Sequence, residues 1–141
     1  MRGGSALSSD HQGNTVKQAT HQPVKVITVV AIAWLGLWAH ELFRVRAMLG
    51  LTPDGSLPLL VIAGALILWW LLAAQKRAAT IALLVYGLIN FFGAVLTVLP
   101  LPFLPFVPEQ EVDHYLVHGI YAVCQLPLIV VTLAGSRLPV K

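Results

Sequence analysis

The chain has 141 residues, of which 57% are hydrophobic and 11% charged, and its formal net charge is +3. Soluble domains average about a quarter charged residues and rather less than half apolar ones. The composition therefore excludes an ordinary water-soluble domain, a disordered chain and a basic nucleic-acid-binding arm. The basic residues are scattered without interleaved aromatics, and the single cysteine, Cys124, permits no internal disulfide.

Residues 1–23, MRGGSALSSDHQGNTVKQATHQP, are polar and rich in Gly, Ser, Gln and Thr. They lack the early apolar core and small-residue cleavage site of a signal peptide, so they read as a disordered cytoplasmic tail followed by an uncleaved anchor. A four-helix transmembrane domain is expected over 24–136. Its helices are read at about 24–48, 57–74, 78–99 and 109–134, each near the roughly 20 residues a bilayer crossing needs. The fold class is all-α, a four-helix transmembrane bundle with a disordered N-terminal tail.

The punctuation between helices agrees with this division. LTPDGSLP (51–58) holds a Pro-Asp-Gly turn, with Ser56 as N-cap and Pro58 in the first helical turn. QKR (75–77) is a tight charged link, which makes the second and third helices an antiparallel hairpin. LPLPFLPFVP (99–108) has four prolines in ten residues, so it cannot be helical and reads as a segment lying on the membrane surface. Pro108 is expected to open the fourth helix, with Glu109 and Glu111 in its first turn, and Gly135 to close it. Trp69 and Trp70 read as anchors in an interfacial aromatic belt.

Positive charge sets orientation. Arg2, Lys17 and Lys25 precede the first span, Lys76 and Arg77 lie in the middle link, and Arg137 and Lys141 follow the last. Only Arg44 and Arg46 fall on the other side, offset by Glu41 and Asp54. Both termini are thus expected in the cytoplasm, and the protein in the plasma (inner) membrane as a multi-pass protein.

Ionisable and polar groups inside a span are costly, so those present should face the bundle interior. On the fourth helix Glu111, His114, His118, Tyr121, Gln125 and Thr132 are spaced by 3, 4, 3, 4 and 7, one narrow stripe. Tyr86, Asn90, Gly93 and Thr97 share a face of the third helix, and Ala33, Gly36, His40 and Arg44 share a side of the first. The second helix has no polar residue between Leu57 and Ala74, so it is expected to be the most lipid-exposed. Depth adds a coincidence. His40 lies 15 residues beyond Lys25, about 22 Å along the helix and so about 8 Å below the outer surface of a core about 30 Å thick. His118 lies about 9 Å into a helix entering from that surface. The two imidazoles should be level.

These patterns point to a non-enzymatic accessory or binding subunit with an outward-facing polar seam, its binding groups being Glu41, Asn90, Glu111, Tyr121 and Gln125. Its partners would be the lipid bilayer and either a larger membrane complex or a second copy, with no nucleic acid. One alternative is a metal- or haem-binding redox protein. In it His40, His114 and His118 hold a transition metal with Glu41 or Glu111 as carboxylate, or His40 and His118 hold haem b axially. Glu111 and His114 have the i, i+3 spacing of di-iron bundles, but a single such motif is too few for that centre. A further alternative is a small proton-coupled transporter using Glu41 and the histidines. The blandest reading is that the seam only joins helices, at about 0.6 kcal/mol per hydrogen bond.

Overall fold

The computed structural model describes residues 8–45, 56–105, 107–108 and 110–136, with side chains of the first helix described from 23 to 42. Among these residues there are four helices and no strand: α1 (Ser8–Val45), α2 (Ser56–Leu72), α3 (Lys76–Leu96) and α4 (Val112–Ser136). Three stretches are long and apolar enough to cross a membrane: Pro23–Leu42 within α1, of 20 residues, α3 with 21 and α4 with 25. α2 is a shorter apolar helix of 17 residues. The apolar runs are rich in Val and Ile, which are indifferent helix formers in water. In hydrocarbon a helix satisfies every backbone group within its own segment, and that requirement outweighs propensity.

α4 packs extensively against both α1 and α3, whereas α2 makes smaller contacts with α1 and α3. The pairings fix direction. Ala33 and His40 of α1 meet Gln125 and His118 of α4, so these two helices run antiparallel. Asn90 and Gly87 of α3 meet Tyr121 and Leu128 of α4, again antiparallel. The four helices thus form a ring in chain order, with α2 the least embedded member. Only Ser56, Ala63 and Trp70 of α2 are buried, while Val61, Leu68 and Leu72 are exposed. This is the peripheral place expected for the helix without polar residues.

Two apolar clusters lie inside. One gathers Val30, Ala33, Ala79, Leu83 and Leu128, and the other Leu37, Ala94, Tyr121 and Ala122. The outer surface is apolar too: Ile89 is 65% exposed, Val123 62% and Val130 63%.

The structure departs from the sequence reading at several boundaries. α1 runs back to Ser8 with Pro23 inside it, so the polar stretch 8–23 continues the helix where a disordered tail was expected. Once an apolar segment has nucleated a helix, each added residue fixes little more for one more hydrogen bond. Residues 1–7, and the Pro-Asp-Gly turn with Arg46 and Asp54, lie outside the described residues.

α4 begins at Val112, so Pro108 does not open it. The Gln110 side chain donates to the Pro108 carbonyl at 3.1 Å and reaches the Val98 carbonyl at 3.4 Å, which holds this stretch as a loop. Gly135 lies within α4, which continues to Ser136, rather than closing it. Trp70 is no belt anchor. Its indole N–H donates to Thr80 Oγ1 at 3.0 Å, and Lys76 Nζ sits 4.4 Å above its ring while donating to the Trp70 carbonyl at 2.8 Å. The lysine thereby satisfies the last carbonyls of α2 across the tight link. Trp69 remains exposed.

Candidate functional site

α4 carries the polar row. Its helical repeat turns His114, His118, Tyr121, Gln125 and Thr132 to the same side, and all five are buried. Glu111 does not join them. It precedes the first helical residue and is exposed, and its backbone carbonyl takes the helix's first amide bond, from Tyr115 at 3.1 Å. The seam is therefore one residue shorter than the spacing implied.

At the top of the row α4 is tied to both neighbours by one imidazole. His118 Nδ1 lies 2.7 Å from the Ala94 carbonyl of α3, and His118 Nε2 lies 2.9 Å from His40 Nε2 of α1. A carbonyl can only accept, so His118 carries its proton on Nδ1 and its Nε2 is the acceptor. The donor in the second bond is then His40 Nε2–H. Ala94 belongs to the last turn of α3; Thr97 and Leu99 amides bond the Gly93 and Leu96 carbonyls, and His118 takes the Ala94 carbonyl, so it also caps that helix. The His40 Nδ1 edge faces the Glu41 carboxylate at 3.8 Å. His114 stands one turn before His118 with the ring centroids 4.5 Å apart. The level placement of His40 and His118, expected from rise per residue, is realised as direct contact.

Further down, Tyr121 donates its hydroxyl to Asn90 Oδ1, and Asn90 Nδ2 donates to the Tyr86 carbonyl at 2.8 Å. The Tyr86 hydroxyl reaches the Leu59 carbonyl of α2 at 3.2 Å. Gln125, 1% exposed, donates through Nε2 to the Ala33 carbonyl at 2.8 Å, while its Oε1 has no hydrogen-bond partner. Thr132 bonds back to the Leu128 carbonyl at 2.7 Å and satisfies itself within α4.

Of the sequence-predicted site residues, the structure brings together His40, Glu41, His114, His118, Tyr121 and Asn90 at the upper part of the seam, with Gln125 one turn below Tyr121. It leaves Glu111 outside. A b-type haem between His40 and His118 does not fit. The two rings touch edge to edge with centroids 4.5 Å apart, and one turn below, a Cβ at Gly36 would lie 2.4 Å from Cys124 Cβ. Helices this close leave no slot for a porphyrin. As the side chains stand, no three His, Cys, Asp or Glu among the described residues are grouped to hold a metal ion. Sequence reasoning missed the Ala94 carbonyl as the group that fixes His118, because backbone partners across helices leave no residue-type signal.

The two lower bonds make opposite predictions. Tyr121→Phe strands the Asn90 carbonyl oxygen in the interior, at about 1–2 kcal/mol. Gln125→Leu loses the bond to the Ala33 carbonyl, a mid-helix acceptor, but also removes an oxygen that has no partner and nearly keeps the volume, so it should lie within about 1 kcal/mol of neutral. Unfolding in detergent micelles measures both, and a Gln125→Leu cost above that of Tyr121→Phe would contradict this bonding.

No protein-family model matches the chain, and neither the curated proteins nor the solved structures include a significant match.

Proposed function

We propose that this chain is a small polytopic integral membrane protein acting as a non-enzymatic accessory or binding subunit, with the histidine end of its seam as the binding end. The supporting observation is an inverted distribution of polarity. Gln125 and Thr132 are each 1% exposed and Asn90 is 5%, whereas Ile89, Val123 and Val130 are each more than 60% exposed. An apolar outer surface of this extent suits lipid, and buried groups bonded across helices suit an interior from which lipid is excluded.

In this reading α2 crosses as well. Its 17 residues give about 26 Å of helix, close to the roughly 30 Å of a hydrocarbon core, and it occupies the fourth place in the ring. Lys25, Lys76 and Arg77 gather at the end of the bundle opposite the histidines. The positive-inside bias then puts that end and both termini in the cytoplasm of a plasma (inner) membrane.

Topology provides the test. Single cysteines at Asp54, Gln75 and Val107, in a Cys124→Ala background, are treated with a membrane-impermeant maleimide on intact cells. Asp54 and Val107 should label directly, and Gln75 only after permeabilisation. Labelling of Gln75 and Val107 from the same side would end the reading of α3 as a crossing. Labelling of Gln75 and Asp54 from the same side would do so for α2. Loss of the chain from the membrane fraction would overturn the proposal as a whole.

A further inference from the structure

The histidine end carries more than helix-to-helix bonding. We infer that His40 and His118 are the anchoring ligands of a divalent transition-metal site, of the zinc, copper or cobalt class, at the junction of α1 and α4. The inference rests on the reading of the seam's upper end as the binding end and names what it binds.

The first argument is where the ring nitrogens point. The Nε2 atoms of the two imidazoles face one another at 2.9 Å. A tetrahedral zinc ion sits about 2.0–2.1 Å from each imidazole nitrogen, which puts two such nitrogens about 3.3 Å apart. To admit the ion the pair would have to open by a few tenths of an ångström, with the two lone pairs turned toward one point.

The second argument is what holds the other edges of the rings. Metal-ligating histidines almost always give their second ring N–H to a backbone carbonyl or a carboxylate, which fixes tautomer and orientation. His118 has such a partner within hydrogen-bond distance, and His40 has a carboxylate beside it at ion-pair distance. His118 Nδ1–H is committed to the Ala94 carbonyl at 2.7 Å, and His40 Nδ1 faces Glu41 Oε1 at 3.8 Å. Binding conserves protons. The proton on His40 Nε2 is displaced, and His40 takes up the tautomer with its proton on Nδ1, aimed at the Glu41 carboxylate.

The third argument is the supply of a further donor. His114 stands one turn from His118 with ring centroids 4.5 Å apart, on the same side of α4, and would have to turn from its present position to offer a third imidazole. Water or a ligand can fill the fourth position, which leaves the site open. In this arrangement Glu41 is a positioning residue and does not touch the ion.

The full chain is purified in detergent through a tag without histidine, stripped with chelator and titrated with Co²⁺. One ion per chain should bind, with the visible absorption bands of a tetrahedral cobalt site, and Zn²⁺ should displace it. His40→Ala and His118→Ala should each weaken binding by about 100-fold or more, and Glu41→Gln by about 10-fold. A His11→Ala/His21→Ala double variant should bind as the parent does, since these histidines are in the N-terminal stretch.

Should the ligand variants fail to fold, the unaltered protein gives a second readout: Zn²⁺ should protect His40 and His118, but not His11 and His21, from carbethoxylation. Absence of stoichiometric cobalt binding, binding that survives both ligand substitutions, or lack of protection would each overturn the site. Recovery of the chain from the membrane fraction is scored separately, so the membrane reading and the metal reading fail independently.

Discussion

Gly36→Val should be among the most disruptive single substitutions in the bundle, at about 3 kcal/mol or more, at the upper end of what overpacking costs. A Cβ at position 36 would lie 2.4 Å from Cys124 Cβ, 3.0 Å from its Sγ and 3.4 Å from the Tyr121 carbonyl oxygen. Ordinary carbon contacts stand at about 3.5–4.0 Å. Both β-carbons are fixed to their backbones, so neither can rotate away, and α1 and α4 must part by roughly an ångström. The strain acts on the seam directly. Position 36 lies one turn from both Ala33 and His40, so separation pulls Gln125 from the Ala33 carbonyl and His118 from His40.

Gly87 gives the contrast. A Cβ there meets Ile129 Cγ1 at 3.2 Å and Leu128 Cδ2 at 3.3 Å, side-chain atoms that can give way, so Gly87→Ala should be close to neutral. Even Gly36→Ala should be clearly destabilising, and Cys124→Gly should restore part of the loss by removing the opposing β-carbon. Unfolding of the variants in micelles measures this series. Equal costs for Gly36→Ala and Gly87→Ala would show that α1 and α4 do not cross at that point.

The spans and the polar stripe were legible in the sequence because each follows from a single helix. Long apolar runs mark the helices that are apolar enough to cross a membrane, and the spacing from His114 to Thr132 fixes one buried side, whatever the neighbours are. The level of His40 and His118 was also legible, since rise per residue needs only the ends of the two helices. What a single helix cannot reveal is rotation and register against another. The bonds from Tyr121 to Asn90, from Gln125 to the Ala33 carbonyl and from His118 to the Ala94 carbonyl all depend on those two quantities.

Trp70 shows the same limit. A tryptophan near the end of an apolar helix reads alike whether it faces lipid or a neighbouring helix, and only Thr80 and Lys76 across the short link decide it. Glu111 failed for a different reason. Its spacing fitted the stripe, but spacing has meaning only inside a helix, and the Gln110 contacts to loop carbonyls delay the start of α4 until Val112.

Leu128→Ala should cost about 2–3 kcal/mol, and the size of that loss bears on what surrounds the bundle. Leu128 is fully buried, lies against the Gly87 position of α3, and shares a cluster with Leu83, Ala79 and Val30. In a water-soluble core such a truncation costs about 2–5 kcal/mol, from lost transfer free energy plus the cavity left behind. In a bilayer the separated helices are solvated by lipid tails as apolar as leucine, so the transfer contribution nearly vanishes and packing alone remains. The loss should therefore sit at the lower end of the range.

Val123 is itself 62% exposed on the same helix, so Val123→Ala removes little packing against another helix and should change stability by less than about 0.5 kcal/mol. Leu83→Ala combined with Leu128→Ala should be non-additive, because both open the same cluster. Reversible unfolding in bicelles measures the three variants. A Val123→Ala cost equal to that of Leu128→Ala would mean that α4 presents a different face to α1 and α3, and the polar row would then have to face lipid.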